Sequence, residues 1–231
     1  MTNRKPRLVV STGAGISAES GISTFRDAGG LWEQYPVMDV ASADGFARNP
    51  ALIHRFYNER RHALGTVRPN RAHEILRELE EHFDVYVITQ NVDDLHERAG
   101  STKVLHLHGE LMKMRAVDDP GFIRPFRDYD DTSSVDTVVE GHHMRPHIVF
   151  FQEAVPMFEP ATEIAAEADI FVIIGTSLAV YPAAALVQYV RKGTPVYYID
   201  PHPSRVPEGV TVIRATATEG MAELARILLK E

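Results

Sequence analysis

The residues in this sequence that could do chemistry stand directly after apolar runs. Residues 8–12 lead into Gly13-Ala14-Gly15-Ile16-Ser17-Ala18, and residues 85–88 into Thr89-Gln90-Asn91-Val92-Asp93-Asp94-Leu95-His96. Val104-Leu105 leads into His106-Leu107-His108-Gly109-Glu110, Ile173-Ile174 into Gly175-Thr176-Ser177, and residues 196–199 into Asp200-Pro201-His202. Amide, carboxylate, imidazole and hydroxyl groups are the mixed donors and acceptors that a sugar-and-phosphate ligand needs, and ligands of open α/β sheets bind beyond the carboxyl ends of the strands. His106 and His108 are two apart, so on a strand they face opposite sides and only one reaches a site. Asn91, Asp93, Thr176 and Ser177 could equally cap following helices. Their convergence beside a glycine loop favours a site.

That loop matches the G-x-G-x-x-G/A dinucleotide pattern in the position it must occupy, straight after a strand. The first glycine permits a tight turn, the second lets backbone N–H groups approach a pyrophosphate, and the helix N-terminus adds a favourable partial charge. A dehydrogenase would place an acidic residue at the end of a second strand about twenty residues on. Here Gly29-Gly30-Leu31-Trp32-Glu33-Gln34-Tyr35-Pro36 does not read as a strand, so hydride transfer loses ground.

The elements that must position these groups follow from periodicity. Residues 8–12, 85–89, 104–107, 170–175, 196–200 and 210–214 read as buried parallel strands, with 147–151 a plausible seventh. Helical stretches lie between, such as 71–81, with Ala72, Ile75, Leu76 and Leu79 at three-to-four spacing, and 221–229. The alternation predicts an α/β class: a Rossmann-like, mainly parallel sheet with helices on both faces. Residues 21–68 form a mostly helical insertion, and 112–146 a more polar, irregular one. The expected organisation is a single catalytic unit over 1–231, with a large domain of about 1–26, 69–111 and 145–231 and a small subdomain of about 27–68 and 112–144.

Composition bounds the function. The chain has 231 residues, 24 Lys and Arg against 32 Asp and Glu, a net charge of −8 and no cysteine. The absence of cysteine excludes disulfides, thiolate catalysis, iron–sulfur clusters and Cys-based zinc sites. An acidic balance weighs against nucleic acid and anionic membranes as partners, and no apolar run is long enough to span a bilayer or form a signal-peptide core. A cytoplasmic protein is expected.

The motifs GAGIS (13–17), GISTFR (21–26), TQNVDDLH (89–96), LHG (107–109), RPHIV (145–149) and GTSLAVYPAA (175–184) occur in the order of a known family. The chain resembles a sirtuin, an NAD-dependent protein lysine deacylase, over about residues 8–220. The resemblance implies that NAD is consumed as co-substrate, that nicotinamide leaves, and that the acyl group of a modified lysine on a protein or peptide passes to ADP-ribose. His108 matches the catalytic base, and an imidazole with a pKa near about 6.5 suits that role. Gln90, Asn91 and Asp93 match residues that hold the nicotinamide ribose and a water, with Asn91 and Asp93 counted beside His108 as catalytic. Gly13, Ala14, Gly15, Ser17, Ala18, Phe25, Arg26 and Trp32 match the cofactor loop. Gly175, Thr176, Ser177, Asp200 and Ala217 match adenosine-side contacts. An acyl-lysine peptide would lie as a strand between an edge at Val149, Phe150 and Phe151 and another at 178–181, which includes Val180.

Tyr57 and Arg60 sit three apart on a helical stretch at 51–64, so both side chains can project from one face. The pair looks like the signature of sirtuins that remove succinyl and malonyl groups, a guanidinium holding the distal carboxylate. An exposed arginine beside a core tyrosine is the bland alternative, and acetyl-lysine can remain a substrate. Most sirtuins carry four zinc cysteines in the second insertion. Here it must hold together otherwise, through carboxylates or a mini-core of Met112, Met114, Phe122, Phe126 and Tyr129, and no zinc or other metal is expected. Gln152 stands where the family usually has Gly, and Asp200 where many members have Asn. The competing readings are a catalytically idle NAD or ADP-ribose binding module, disfavoured by intact His108, Asn91 and Asp93, and a mono-ADP-ribosyltransferase, which has no need of Tyr57 and Arg60.

Overall fold

The computed structural model of the chain describes residues 4–24, 35–203, 206 and 208–230. Six strands form one parallel sheet: β1 (Arg7–Thr12), β2 (Asp84–Thr89), β3 (Val104–His106), β8 (Ile170–Ile174), β9 (Val196–Ile199) and β10 (Thr211–Ile213), in the order β10-β9-β8-β1-β2-β3. From β1 the chain first extends the sheet one way through β2 and β3, then returns to build β8, β9 and β10 on the other side. The switch falls at β1, and Thr12 lies opposite both Thr89 and Ile174. The carboxyl ends of the three central strands are therefore level, the place where an open sheet leaves a crevice.

Alternation along these strands feeds two cores. Leu8, Val10, Val85, Val87, Val172 and Ile174 point to one face, and Val9, Ile88, Phe171 and Ile173 to the other. The first face is covered by α5 (Arg71–Leu79) and α8 (Ala217–Leu229), through residues such as Leu76 and Leu224. The second is covered by α7 (Phe158–Ala166) and the 3-10 helix Ala183–Tyr189. Helix α5 starts where the sequence says it should: Asn70 caps it, accepting from the Ala72 N–H, while the His73 ring reaches back to the Asn70 N–H.

The second insertion corrects the expected irregular excursion. It is a four-stranded antiparallel sheet, β5-β4-β7-β6, built from β4 (Gly109–Ala116), β5 (Ile123–Pro125), β6 (Val138–Val139) and β7 (His142–Ile148). The expected strand at 147–151 is the end of β7. It belongs to this antiparallel sheet, begins earlier, and stops at Ile148. Short strands with charged residues on the solvent face carry a weak period, which is why they read as loop.

Three helices pack beside it: α2 (Val37–Val40), α3 (Ala43–Arg48) and α4 (Pro50–Thr66). They share a third core with this antiparallel sheet, including Val40, Ile53, Phe56, Leu64, Leu111 and Ile148. Arg61 of α4 is the tie that sequence reading missed. It is 0% exposed, its guanidinium lies 3.4 Å from the centroid of the Phe126 ring, and it donates twice to the Asp131 carbonyl, at 2.9 and 2.6 Å. His54 and Asn58, on the same helix, bond Ser133. Of the expected mini-core, Phe126 is buried under this cation, Met112 packs on the third core, Phe122 stacks with His142, and Tyr129 donates to Asp94 at 2.6 Å. Among the described residues no group of three or more His, Cys, Asp or Glu is arranged to hold a metal ion, and no helix is long and apolar enough to cross a membrane.

Candidate functional site

The glycine loop packs backbone to backbone against the turn that follows β8. Gly13 donates to the Ile174 carbonyl at 3.0 Å and Gly15 to that of Gly175 at 2.9 Å, while the N–H groups of Ile16 and Ser17 turn back to Gly13 and Ala14. A Cβ on Gly15 would stand 2.6 Å from the Gly175 Cα, and one on Gly13 would meet the Gly175 oxygen at 2.8 Å. Gly175 itself has φ +61, a conformation that favours glycine. The glycines thus let two turns interlock backbone to backbone. Within residues 13–17, the N–H of Ala14 alone is uncommitted among the described residues. Helix α1 (Gly15–Ala18) is only one turn, so its summed dipole is small and a phosphate would be met mainly by that single N–H.

Beside the loop lies a buried polar network. Ser17 donates to Asp93 Oδ2 at 3.0 Å and accepts from Asn91 Nδ2 at 3.1 Å. Burial pushes the Asp93 carboxyl up, against the hydrogen bonds from the Leu95 N–H and Ser17 that favour its charge. Asp93 also accepts the Leu95 N–H at 3.2 Å, just ahead of α6 (Leu95–Arg98). Gln90 donates to Thr176 Oγ1 at 3.2 Å, joining the ends of β2 and β8.

His108 follows β3 and is part-buried, with Nδ1 3.1 Å from the Gln90 carbonyl oxygen. A carbonyl only accepts, so Nδ1 carries the proton and Nε2 is left with its lone pair. Burial lowers the His108 pKa, partly opposed by that hydrogen bond. His106 takes the opposite side, as the spacing demands. Its ring reaches Asn91 O at 2.9 Å and Glu97 Oε1 at 2.8 Å. Burial works against its charged form, yet the Glu97 carboxylate raises its pKa overall.

Of the residues expected on the adenosine side, Asp200 follows β9, with its N–H on the Ile213 carbonyl and its carboxylate taking the His202 N–H at 2.7 Å. Ser177 follows Thr176 in the same turn. Ala217 opens α8 and is buried, and Ala18 ends α1 in an exposed position. Phe25, Arg26 and Trp32 lie outside the described residues. Tyr198, which sequence reading passed over, is fully buried and donates to the Thr176 carbonyl at 2.7 Å, fixing that turn.

Tyr57 and Arg60 project from one face of α4. Tyr57 is 5% exposed and stacks on Phe150, with ring centroids 6.1 Å apart. Burial raises its pKa. Arg60 is part-buried, 5.0 Å above the Phe56 ring, and makes no hydrogen bond or ion pair among the described residues. Burial lowers its pKa, because the guanidinium has lost water, and the nearby Tyr57 and Glu59 offset this only in part.

The expected edge at 149–151 is largely committed. Val149 donates to the His108 carbonyl, and Phe151 donates to Ala41 and accepts from Ala43. Phe150 donates to Glu153 Oε2 and accepts from the Glu153 N–H. Among the described residues, uncommitted backbone continues at Gln152 and Ala154. At the second expected edge, the Val180 carbonyl accepts from Ala184 at the start of the 3-10 helix, and Tyr181 is 64% exposed. Glu153, also missed, accepts from Arg145 at 2.6 Å and Arg115 at 3.0 Å. Its residues are scattered over two strands and a loop, so no spacing announces it.

A model of the Sir2 family matches residues 13–182. The chain belongs to the Sir2 family. This Sir2-family chain is 54% identical over 228 residues to an NAD-dependent protein deacylase of Bacteroides thetaiotaomicron, covering 96% of this chain and 97% of that one. It is 48% identical over 225 residues to one of Helicobacter pylori, covering 96% and 95%. Among solved structures, a Sir2 homologue in complex with NAD superposes with a TM-score of 0.86 at 36% identity, covering 98% of this chain and 90% of that one. A Sir2 protein bound to an acetylated peptide gives 0.80 at 31%, covering 99% and 94%. The Sir2 fold thus accounts for the switch-point crevice, and the groups around it suit a dinucleotide: one free backbone N–H, a hydroxyl–amide–carboxylate network, and an imidazole with an open nitrogen.

Proposed function

We propose that this chain is an NAD-dependent protein lysine deacylase that favours succinyl and malonyl groups and also accepts acetyl. The observation that carries the reaction is His108, whose ring is oriented by a backbone carbonyl, held neutral by burial, and open at Nε2 beside the Ser17–Asn91–Asp93 network. When bound, NAD supplies the ribose carbon that receives the acyl oxygen, with nicotinamide as leaving group. Ala14 N–H, Gln90 and Thr176 would hold the dinucleotide across the ends of β1, β2 and β8. Asn91 and Asp93 would fix the ribose next to the reacting carbon, and His108 Nε2 would accept a proton from a ribose hydroxyl as water is recruited to release the acyl group.

Arg60 supports the acidic-acyl reading. It is a desolvated cation with no hydrogen bond or ion pair among the described residues, three positions from a buried phenol. A substrate carboxylate would supply the missing partner in a charge-assisted bond, while acetyl offers nothing to either group. Acylated lysines on proteins or peptides are the partners.

Parallel kcat/KM measurements on one peptide carrying acetyl-, malonyl- or succinyl-lysine, with products weighed by mass spectrometry, test both parts. The expected result is acyl loss with nicotinamide release and the larger kcat/KM for the acidic groups. Peptide gaining ADP-ribose would mark a transferase, and unchanged peptide an idle binding module. Equal or better turnover of acetyl would remove the acidic preference.

A further inference from the structure

Gln152 is a non-glycine residue at φ +77, a left-handed conformation that side chains other than glycine rarely adopt without compensation. The compensation is visible. Gln152 Oε1 accepts the Asp44 N–H at 3.1 Å, and Gln152 Nε2 donates to Asp44 Oδ2 at 2.7 Å. Asp44 lies in the first turn of α3, whose N–H groups have no partner within the helix. The Ser42 side chain takes that of Gly45 at 2.9 Å, and Gln152 takes that of Asp44 from outside the helix. One residue earlier, Phe151 pairs with Ala41 and Ala43 through its backbone. The segment 150–153 is thus fastened along the start of α3, with the Phe150 ring on Tyr57 at one end and Glu153 on Arg145 and Arg115 at the other.

We propose that Gln152, through its two-point bond to Asp44, is a positioning residue for the acyl-lysine substrate. It fixes the 150–153 segment so that its uncommitted backbone can pair with the peptide and Phe150 stays against Tyr57 in the acyl pocket. This rests on the deacylase reading above. No contact of Gln152 with the dinucleotide groups at 13–17, 90–93 or 176 is involved, so its effect falls on the acyl substrate alone.

Gln152→Gly keeps the backbone angle without strain and removes both bonds, so folding is not at risk. The expected result, for two exposed hydrogen bonds, is a rise of about 3–10-fold in peptide KM. NAD KM and kcat should stay within about twofold and Tm should not fall, a split that loss of general stability would not produce. Asp44→Asn, which still accepts from Gln152 Nε2, should behave as wild type, while Asp44→Ala should raise peptide KM and add nothing in the Gln152→Gly background. An unchanged peptide KM in Gln152→Gly, NAD KM rising in step, or Asp44→Asn as damaging as Gln152→Gly would overturn the proposal. If the unaltered enzyme removes no acyl group, the deacylase reading falls instead. The Gln152 proposal is then read from fluorescence anisotropy of a labelled succinyl-lysine peptide, where equal Kd for wild type and Gln152→Gly, or no binding by either, sinks it.

Discussion

His108 Nδ1 stands 3.1 Å from the backbone oxygen of Gln90, so one bond sets both the tautomer and the orientation of the ring. Gln90 in turn donates its own N–H to the Thr12 carbonyl at 2.9 Å, which locks the base to the level ends of β1 and β2. The imidazole is built into the sheet edge, and its geometry does not wait on a ligand.

The pH dependence follows from its surroundings. Burial lowers the His108 pKa, and the base acts only when neutral. As pH falls, activity should persist below the ordinary histidine value of about 6.5 before the acid limb begins. A kcat/KM profile for deacylation measures this. A midpoint at or above pH 7 would contradict the assignment of His108 as base.

Stability should respond to acid through other histidines. His54 and His73 are 2% and 0% exposed, and burial drops both pKa values to about 4. Between pH 6.5 and 4 the unfolded chain protonates these groups while the folded chain does not, so stability is full above about pH 6.5 and declines as pH falls toward 4. The slope is about 1.4 kcal/mol per pH unit for each such histidine. Urea titrations at pH 7 and 5.5 should show the decline, and His73→Asn should flatten it. An identical slope in that variant would show that His73 is not a contributor.

Interlocked turns leave no room for a methyl group. Gly15→Ala would put a Cβ 2.6 Å from the Gly175 Cα, and backbone cannot step aside as a flexible side chain can. The expected loss is roughly 1–3 kcal/mol of stability, with weaker NAD binding by titration calorimetry. A variant as stable as the parent would mean that the two turns do not pack in this way.

Arg60→Met should lower kcat/KM for succinyl-lysine by about 10–100-fold, the worth of a charge-assisted bond, and leave the acetyl value within about threefold. Steady-state kinetics on matched peptides decide it. Parallel losses on both acyl groups would mean that Arg60 serves the fold and not the acyl pocket.

Much of this was legible in sequence because the parallel strands are continuous apolar runs with polar residues at one end, so six strands and the groups at 13–17, 89–93, 106–108 and 175–177 could be placed without coordinates. Spacing also separated His106 from His108. Other features had no local signature. The antiparallel sheet at 109–148 alternates weakly and presents charges outward. Arg61 reads as one cation in an Arg-Arg-His run until Phe126 and Asp131 come back to it from more than sixty residues away. Gly15 matches a phosphate-binding pattern, and its close packing on Gly175 is a contact that only the tertiary fold supplies.

The central claim is that acyl removal is coupled to NAD cleavage through His108. With a succinyl-lysine peptide and NAD, counting nicotinamide by chromatography and acyl loss by mass spectrometry should give one of each per turnover in the wild type. His108→Ala should lose about 100-fold or more in acyl loss while still binding NAD. Acyl loss without nicotinamide, or undiminished turnover in His108→Ala, would contradict the account.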